Sequence, residues 1–361
     1  MALGVLPAMS VIALLSLVML QPSTHASQVP AFFVFGDSTV DTGNNNYLPN
    51  SLTRADNPPY GRDFDPPGPT GRFCNGKLTD DYIAEFLGLP YPIDFYNPQA
   101  QGQKLLQGVN FASAGSGLLD QTGNATGSIS FSKQLQNFID VLRNISQSIG
   151  QGNATKLIAG SIFLISSGGN DLLDYQLNVS QRAQFNAKQF NSLLVSKALN
   201  YTQTLYNLGA RKMVIVSSAP LGCLPVALTV FHSPDGSCIR RINSQTKDFN
   251  AGLQSNISTL ASQLPGVHLV YGNVYDTILA AIQNPTRSGF KYGHKACCGD
   301  GKYGGASGCN PTVYVCANAS QYVFWDLIHP TQHMYIILAN GLISGPQSIA
   351  SPVNISNLVN M

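Results

Sequence analysis

The stretch Ala31-Phe32-Phe33-Val34-Phe35-Gly36-Asp37-Ser38 decides the fold. Five apolar residues in a row, ended by a glycine and two polar residues, are typical of a strand buried on both faces. Four later runs have the same character and predict further buried strands: Gly108–Ala112, Ile162–Ser166, Met213–Ser217 and Val267–Tyr271. Such strands indicate a parallel sheet with helices on both sides.

The segments between these runs carry apolar residues at helical spacing, as in Leu135, Phe138, Ile139 and Leu142. Strands that alternate with helices predict an α/β protein with three layers, α/β/α, around a central parallel sheet of about five strands. We expect residues 28–361 to form a single domain. Open sheets of this kind bind ligands beyond the carboxyl ends of their strands.

Polar motifs follow the first three predicted strands at that edge. Ser38 follows the first strand, Gly115 the second and Asn170 the third. A serine hydroxyl is a weak nucleophile that needs a base and an array of donors for the oxyanion. The alternative is that Asp37 or Ser38 only caps a following helix. The Gly-x-Ser-x-Gly elbow of α/β-hydrolases is absent, because no glycine stands two residues after Ser38.

A candidate base comes late in the chain, where Asp326 stands three residues before His329. This spacing places both side chains on one side of a helical turn. The carboxylate can then hold one ring nitrogen and leave the other facing Ser38. His333 is the main competitor for this role. A surface ion pair between Asp326 and His329 is the alternative.

Oxyanion donors are expected from a backbone N–H of the turn at Gly36 to Ser38, from the Gly115 main-chain N–H and from the Asn170 side-chain amide. The alternative is that the sequences around Gly115 and Asn170 are ordinary turns. Asp171 is predicted to orient its turn by accepting backbone N–H groups, with no catalytic role. The run Asn44-Asn45-Asn46 is predicted to shape the pocket wall.

Composition argues against other function classes. Charged residues make up 11% of the chain and the net charge is +2, so no strong field is set up for nucleic acid or an anionic membrane surface. Aspartates and histidines do not cluster at metal-ligand spacing, and Gly115-Ser116-Gly117 lacks the third glycine of a dinucleotide site. We therefore expect no metal, no cofactor and no nucleic-acid partner.

Residues 1–27 are predicted to be a signal peptide that is removed, because a short apolar run ends at Gln21-Pro22-Ser23. The alternative is an N-terminal membrane anchor. Secretion permits glycosylation, and Asn-x-Ser/Thr sequons predict sites at Asn124, Asn144, Asn153, Asn178, Asn200, Asn256, Asn318 and Asn354. We expect an extracellular or cell-wall protein, with the vacuole as the alternative, and no stable membrane insertion.

The seven cysteines fit an oxidising compartment. An odd number leaves at least one thiol free or intermolecular. Cys223 and Cys238 would close a short loop, and four more cysteines lie close together between residues 297 and 316. A zinc site is the alternative for those four, but they lack a Cys-x-x-Cys knuckle, which favours disulfides.

Together these motifs resemble the plant branch of the GDSL esterase/lipase family, within the SGNH hydrolase superfamily. The matching blocks stand in family order from about Phe32 to Ala339: Phe-Gly-Asp-Ser-x-x-Asp-x-Gly-Asn-Asn, Asn-Phe-Ala-Ser-x-Gly-x-Gly, Gly-x-Asn-Asp, Ala-Pro-Leu-Gly-Cys-Leu-Pro and Phe-Trp-Asp-x-x-His-Pro-Thr. One departure is Thr39, which replaces the leucine of the family name and bears on pocket shape rather than on catalysis.

The resemblance implies a flavodoxin-like α/β/α fold with Ser38, Asp326 and His329 as catalytic triad. It implies an oxyanion hole made by the Ser38 and Gly115 main-chain N–H groups and Asn170. Our hypothesis is a secreted, glycosylated serine carboxylic-ester hydrolase acting on a lipid or other acyl ester. An acyltransferase with the same triad and a non-catalytic extracellular binding protein are the rival hypotheses. Natural substrate and oligomeric state stay open.

Overall fold

A computed structural model describes residue 1 and residues 28–361, so the predicted signal peptide lies outside the described residues except for residue 1. Nine strands are found in this part of the chain: β1 Phe32–Gly36, β2 Ile93–Asp94, β3 Val109–Asn110, β4 Ile162–Ser166, β5 Lys212–Val216, β6 His268–Gly272, β7 Tyr292–Ala296, β8 Tyr322–Phe324 and β9 Ala350–Ser351. The β7 and β8 strands form a small separate parallel sheet.

The other seven strands form the central sheet in the order β2-β3-β1-β4-β5-β6-β9. All neighbours in it are parallel except β6 and β9. The predicted α/β class with a parallel sheet is therefore confirmed, but the expected number of about five strands is wrong. The two additional strands, β2 and β9, are two residues long, too short to leave an apolar run in the sequence. The predicted strand at 108–112 also shortens to the two residues of β3.

Eleven α-helices flank the two sheets in the described part of the chain: α1 Thr79–Leu87, α2 Phe131–Ile149, α3 Gln151–Gly160, α4 Gly169–Leu177, α5 Val179–Gln184, α6 Ala187–Asn207, α7 Pro225–Val230, α8 Arg240–Gln263, α9 Val274–Gln283, α10 Gln332–Ser344 and α11 Ile355–Leu358. Polar caps fix several of their ends. Ser130 accepts from the N–H of Lys133 at the start of α2, and Asn186 forms a capping box with Gln189 at the start of α6. None of the described helices is both long and apolar enough to cross a bilayer.

The core is built on aromatic side chains that join β1 to α2. Phe33 and Phe35 of β1 are fully buried, and their rings lie 5.4 and 5.6 Å from the ring of Phe138. Phe111, just after β3, stacks on Phe35 at 4.8 Å. Because these contacts lie directly behind the end of β1, they hold the backbone that carries Ser38 in a rigid position.

A smaller apolar cluster lies beside the sheet and contains Tyr60, Phe73, Trp325 and four cysteines. The cysteines are joined as Cys297–Cys316 and Cys298–Cys309, and a third disulfide joins Cys223 to Cys238. The prediction of disulfides is thus confirmed, with Cys74 as the free, buried thiol among the described cysteines. Disulfides in this Gly-rich segment restrict a region that has little regular structure of its own.

Candidate active site

Ser38 lies two residues beyond the end of β1, and glycine at position 36 makes this turn possible. Gly36 has φ of +145°, and a Cβ there would lie 2.0 Å from the carbonyl oxygen of Ser166. Gln134 clamps the turn, since its side chain accepts from the Gly36 N–H and donates to the Gly36 carbonyl oxygen, both at 2.9 Å. The serine is therefore presented at the carboxyl edge of the sheet, as expected from the sequence.

His329 and Asp326 meet this serine in a continuous chain of contacts. The Nε2 atom of His329 lies 2.8 Å from the Oγ atom of Ser38, and the Nδ1 atom lies 2.9 Å from each carboxylate oxygen of Asp326. All three side chains are at least nine-tenths buried. An imidazole placed in this way can accept the serine proton while the carboxylate stabilises the resulting charge.

Asp326 is held by more donors than His329 alone. Its Oδ1 accepts the N–H groups of Ile328 and His329 at 2.9 and 2.8 Å, which closes the tight turn between the two catalytic candidates. Burial alone would raise the pKa of Asp326, but the charge of His329 and these hydrogen bonds more than offset it and hold that pKa below its ordinary value. The carboxyl group therefore stays ionised at neutral pH.

Sequence reasoning missed Tyr60, whose hydroxyl donates to Oδ2 of Asp326 at 2.8 Å. Tyr60 lies in the loop of residues 57–75, which folds over the acid and the histidine. The Phe73 ring, in the same loop, lies 4.8 Å from the His329 ring. Arg62 anchors the loop by donating to the carbonyl oxygen of Cys316 at 2.7 Å. The sequence signal at this position is the run Pro58-Pro59-Tyr60-Gly61, which indicates a loop but gives no role to Tyr60.

His333, the competing histidine, is placed elsewhere. Its Nδ1 atom lies 2.8 Å from the carbonyl oxygen of Ser320, and its ring packs on Phe290 at 4.6 Å. It makes no hydrogen bond with Ser38 or Asp326. The spacing argument that preferred His329 therefore agrees with the geometry.

Asn170 is linked to the Gly115 loop through Ser116, the residue that follows Gly115. The Nδ2 atom of Asn170 donates to the carbonyl oxygen of Ser116 at 2.8 Å. The Oγ atom of Ser116 donates to the Gly36 carbonyl oxygen at 2.9 Å, which ties this loop to the segment that carries Ser38. Among the described residues, no acceptor is found for the main-chain N–H of Ser38 or of Gly115. Both N–H groups are thus free to bind an anionic oxygen.

A buried network positions the loop that contains Gly115. The carboxylate of Asp41 accepts the N–H groups of Gly43, Asn44 and Ala114 at 2.8–2.9 Å. The side chain of Asn45 donates to the carbonyl oxygen of Ala114 at 3.0 Å. The prediction that Asn44-Asn45-Asn46 shapes the pocket wall is wrong, since the buried Asn44 and Asn45 bond to the backbone behind the site.

Asp171 has the orienting role that its position suggested. Its carboxylate accepts the N–H groups of Leu118 and Leu119 at 2.7 and 3.0 Å and the hydroxyl of Thr122 at 2.7 Å. These bonds join the loop after β3 to the start of α4, where Asn170 stands. Burial raises the pKa of Asp171 to about 6, although the hydrogen bonds that it accepts act in the opposite direction.

A cavity opens at Ser38 and runs along the carboxyl ends of the strands; we refer to it as the strand-end channel. The space in it that the centre of a water molecule can reach is about 90 Å³. Ser38 and Asn170 both line it, whereas Gly115 lies outside its lining. Most of the lining is apolar, including Val40, Leu164, Val216, Ile278, Leu338 and Leu342.

The sequons are placed mostly on the surface. Seven of the eight asparagines are exposed: Asn124, Asn144, Asn153, Asn178, Asn200, Asn256 and Asn318. Asn354 is only half-buried, and its Nδ2 atom donates to the carbonyl oxygen of Gly345 at 3.0 Å. Within residues 28–361, no group of three or more His, Cys, Asp or Glu side chains is arranged to hold a metal ion.

Comparison with known proteins agrees with this geometry. The sequence model of the family "GDSL-like Lipase/Acylhydrolase" matches residues 32–342. The chain is 40% identical to GDSL esterase/lipase 7 of Arabidopsis thaliana, over 94% of this chain and 95% of that protein. It is also 40% identical to GDSL esterase/lipase APG of the same plant, over 89% and 92% of the two chains. The chain therefore belongs to the GDSL lipase/acylhydrolase family, a family of carboxylic-ester hydrolases.

Proposed function

We propose that the protein is a secreted serine carboxylic-ester hydrolase that works through an acyl-enzyme on Ser38. The observation that carries the proposal is the contact of 2.8 Å between His329 Nε2 and Ser38 Oγ, with Asp326 behind the imidazole. We further propose that residues 28–361 act as one domain, because one apolar core cluster extends from Val29 to Val359.

In the first half of the reaction, His329 takes the proton from the Ser38 hydroxyl as the oxygen attacks the ester carbonyl carbon. The carbonyl π bond becomes a lone pair on the oxyanion. The N–H groups of Ser38 and Gly115 and the amide of Asn170 bind that oxyanion. The C–O bond to the alcohol then breaks, and the alcohol leaves with the proton held by His329.

In the second half, His329 deprotonates a water molecule that attacks the acyl-serine. The same three donors bind the second oxyanion. Ser38 recovers its proton from His329 as the carboxylic acid leaves. Throughout, Asp326 keeps the ring oriented and compensates its positive charge, and Tyr60 holds Asp326 in place.

An acyl ester as substrate is supported by the mainly apolar lining that begins at the nucleophile. The relatives named esterase/lipase agree with this substrate class. Secretion is supported by the three disulfides, which form in oxidising compartments, and by the exposed sequons. We propose an extracellular or cell-wall location on these grounds.

The test is Ser38→Ala, measured on purified protein with short- and long-chain aryl esters. We expect turnover to fall by roughly 10⁴- to 10⁶-fold with little change in melting temperature, because the hydroxyl is the attacking group. Labelling by a fluorophosphonate, which reacts with activated serines, should occur in the wild type and vanish in the variant. Full turnover in the variant would refute the assignment.

Two further results would favour the rival hypotheses. Transfer of the acyl group to added glycerol in preference to water would indicate an acyltransferase. A wild-type protein that neither cleaves esters nor reacts with the fluorophosphonate would indicate a binding protein. Each readout uses the same purified protein, so the three hypotheses are separated by one set of assays.

A further inference from the structure

Exposed apolar side chains are concentrated at one place outside the strand-end channel. Apart from the terminal methionines, six large apolar side chains of the described residues are exposed. Three of the six stand at helix ends: Leu177 ends α4, Val179 begins α5 and Val230 ends α7, with exposed fractions of 57%, 71% and 43%. We refer to these three residues as the helix-tip patch. Single exposed leucines are ordinary, but a group of exposed apolar side chains indicates a binding surface.

Contacts of Arg241, near the start of α8, show that the ends of α4 and α7 meet. Arg241 donates to the side-chain oxygen of Gln176, the residue before Leu177. Its guanidinium also lies over the ring of Phe231, the residue after Val230, at 4.5 Å from the ring centre. The apolar residues of the patch therefore belong to one surface, although they are far apart in the chain.

Helices α4 and α7 both connect the helix-tip patch to the candidate active site. Asn170 and Leu173 of α4 line the strand-end channel. Leu173 and Leu177 stand three and seven residues after Asn170, so the three lie on one face of the helix. Seven residues of helix span roughly 10 Å. In the same way Leu224, just before α7, lines the channel and Val230 ends that helix. Anything bound to the patch is therefore close to the nucleophile.

Arginines around the helix-tip patch give it a positive charge. Arg182, Arg240 and Arg241 are exposed, and none of them forms a salt bridge with a carboxylate of residues 28–361. Arg182 is held at the end of α4, because it donates to the carbonyl oxygen of Tyr175 at 3.1 Å. Asp174 is the exposed carboxylate of α4, and α5 and α7 contain none. The net charge of the chain is only +2, so this concentration of arginine is local.

A lipid surface fits the helix-tip patch better than a protein partner does. Specific protein interfaces bury roughly 800 Å² on each partner, far more than three aliphatic side chains provide. A few apolar side chains that enter a bilayer are sufficient for reversible binding when basic residues contact anionic headgroups. A lipid surface also agrees with the acyl esters proposed as substrates.

We propose that the helix-tip patch docks the enzyme reversibly on a lipid surface with anionic headgroups, and that docking brings ester lipids to the strand-end channel. This inference rests on the proposed esterase function and adds a partner surface outside the site. Asn178 stands between Leu177 and Val179 and is a predicted glycosylation site, so a glycan there would cover the patch. Only molecules with an unmodified Asn178 are therefore expected to dock.

The experiment is sedimentation of the purified protein with vesicles of phosphatidylcholine and phosphatidylglycerol in equal parts. We expect the wild type to bind these vesicles. The double variant Leu177→Ser, Val179→Ser should bind about tenfold more weakly, because two apolar side chains no longer enter the bilayer. Arg182→Gln should bind about fivefold more weakly, because one positive charge near the headgroups is lost, and should be unchanged on pure phosphatidylcholine. Asn178→Gln should bind at least as tightly as the wild type.

Met361→Ser and Lys156→Gln are the matched controls, because both residues are exposed at the opposite edge of the sheet. Met361 is 55% exposed and follows a segment whose Val359 carbonyl oxygen accepts from Lys212, at the amino end of β5. Lys156 lies on α3, which leads into the amino end of β4. Both control variants should bind the vesicles like the wild type. Binding that falls as much in the controls as in the patch variants would overturn the inference.

Ester cleavage in solution separates this inference from the esterase assignment. Hydrolysis of a soluble aryl butyrate should stay within about twofold of wild type in every variant. Hydrolysis of a long-chain aryl ester embedded in the vesicles should fall about tenfold in the double variant, in line with its weaker binding. Lack of vesicle binding in both the wild type and Asn178→Gln would overturn the inference, and normal cleavage of the soluble ester would then leave the esterase assignment intact. A wild type that does not cleave the soluble ester would refute that assignment itself.

Discussion

Two sets of buried polar side chains surround Ser38, and they differ in whether their hydrogen bonds are made. Behind the serine, Asp41, Asn45 and Asp171 bond to backbone groups of the loops that carry Gly115 and Asn170. In the strand-end channel, Ser218 and Tyr335 are equally buried but have no partner among the described residues. The difference separates polar groups that build the site from those whose hydrogen bonds the fold leaves unmade.

Asn170 stands where the two sets meet, and its removal gives the largest expected effect. Its amide nitrogen donates to the carbonyl oxygen of Ser116, and Asn170 also lines the channel, as Ser38 does. Asn170→Ala should lower kcat by roughly 10²- to 10³-fold, because it removes one of the three proposed oxyanion donors. The measurement is steady-state kinetics on a decanoate ester.

The matched control for that variant is Asn191→Ala. Asn191 likewise donates its amide to a backbone carbonyl oxygen, that of Gln245, but it is buried and lies outside the channel lining. Its replacement should lower stability and leave kcat within about twofold. Wild-type kcat in Asn170→Ala would show that this amide belongs only to the supporting set.

The supporting set predicts a pH dependence through Asp171. Its pKa is raised by burial from an ordinary 3.8 to about 6, so the unfolded chain loses this proton first as pH rises. Between about pH 4 and 6 the folded state binds more protons, and the free energy of unfolding falls with increasing pH. The contribution is on the order of 3 kcal/mol over this window.

Asp171→Asn removes that titration and keeps the shape of the side chain. The stability advantage of the wild type over this variant should therefore be greatest near pH 4 and shrink towards pH 6, as measured by urea unfolding at several pH values. Other titrating groups are common to both proteins and cancel in the difference. A difference that grows with pH would contradict the raised pKa.

The neighbouring residues Ser217 and Ser218 give the smallest but most direct comparison. Ser217→Ala leaves the N–H groups of Val274 and Tyr275 without their acceptor and should lower the free energy of unfolding by about 1–3 kcal/mol. Ser218→Ala removes a buried hydroxyl that has no partner, and it should therefore raise the free energy of unfolding by about 1–3 kcal/mol. Urea unfolding of both variants measures this. Equal losses would show that the two serines do not differ in bonding.

The sequence predicted those parts of the fold that have a local signal. The run at 162–166 became β4 with the same bounds, because four apolar residues buried on both faces leave a continuous pattern. Strands β2 and β9 were missed because two residues carry no periodicity. The pairing of Asp326 with His329 could also be predicted, because both residues lie in a single turn and their spacing is visible in the sequence.

Contacts between distant segments had no such signal. Tyr60 and Asp326 are 266 positions apart, and their hydrogen bond depends on how the 57–75 loop packs on the β7–β8 sheet region. The unpaired hydroxyls of Ser218 and Tyr335 could not be predicted either, because the lack of a partner is a property of the folded surroundings. Three asparagines in sequence likewise did not reveal that two of them bond the backbone behind the site.

Ser38 and His329 are 291 positions apart, and this separation affects when the site can assemble during synthesis of the chain. The ribosome makes the serine early, but the imidazole and its carboxylate emerge only after the whole central sheet except β9. In the proposed mechanism, a growing chain therefore carries Ser38 through most of translation without His329 to activate it. Ester cleavage by the proposed mechanism therefore requires the segment before α10 to dock against the finished strand edge, which can happen only after most of the chain has been made.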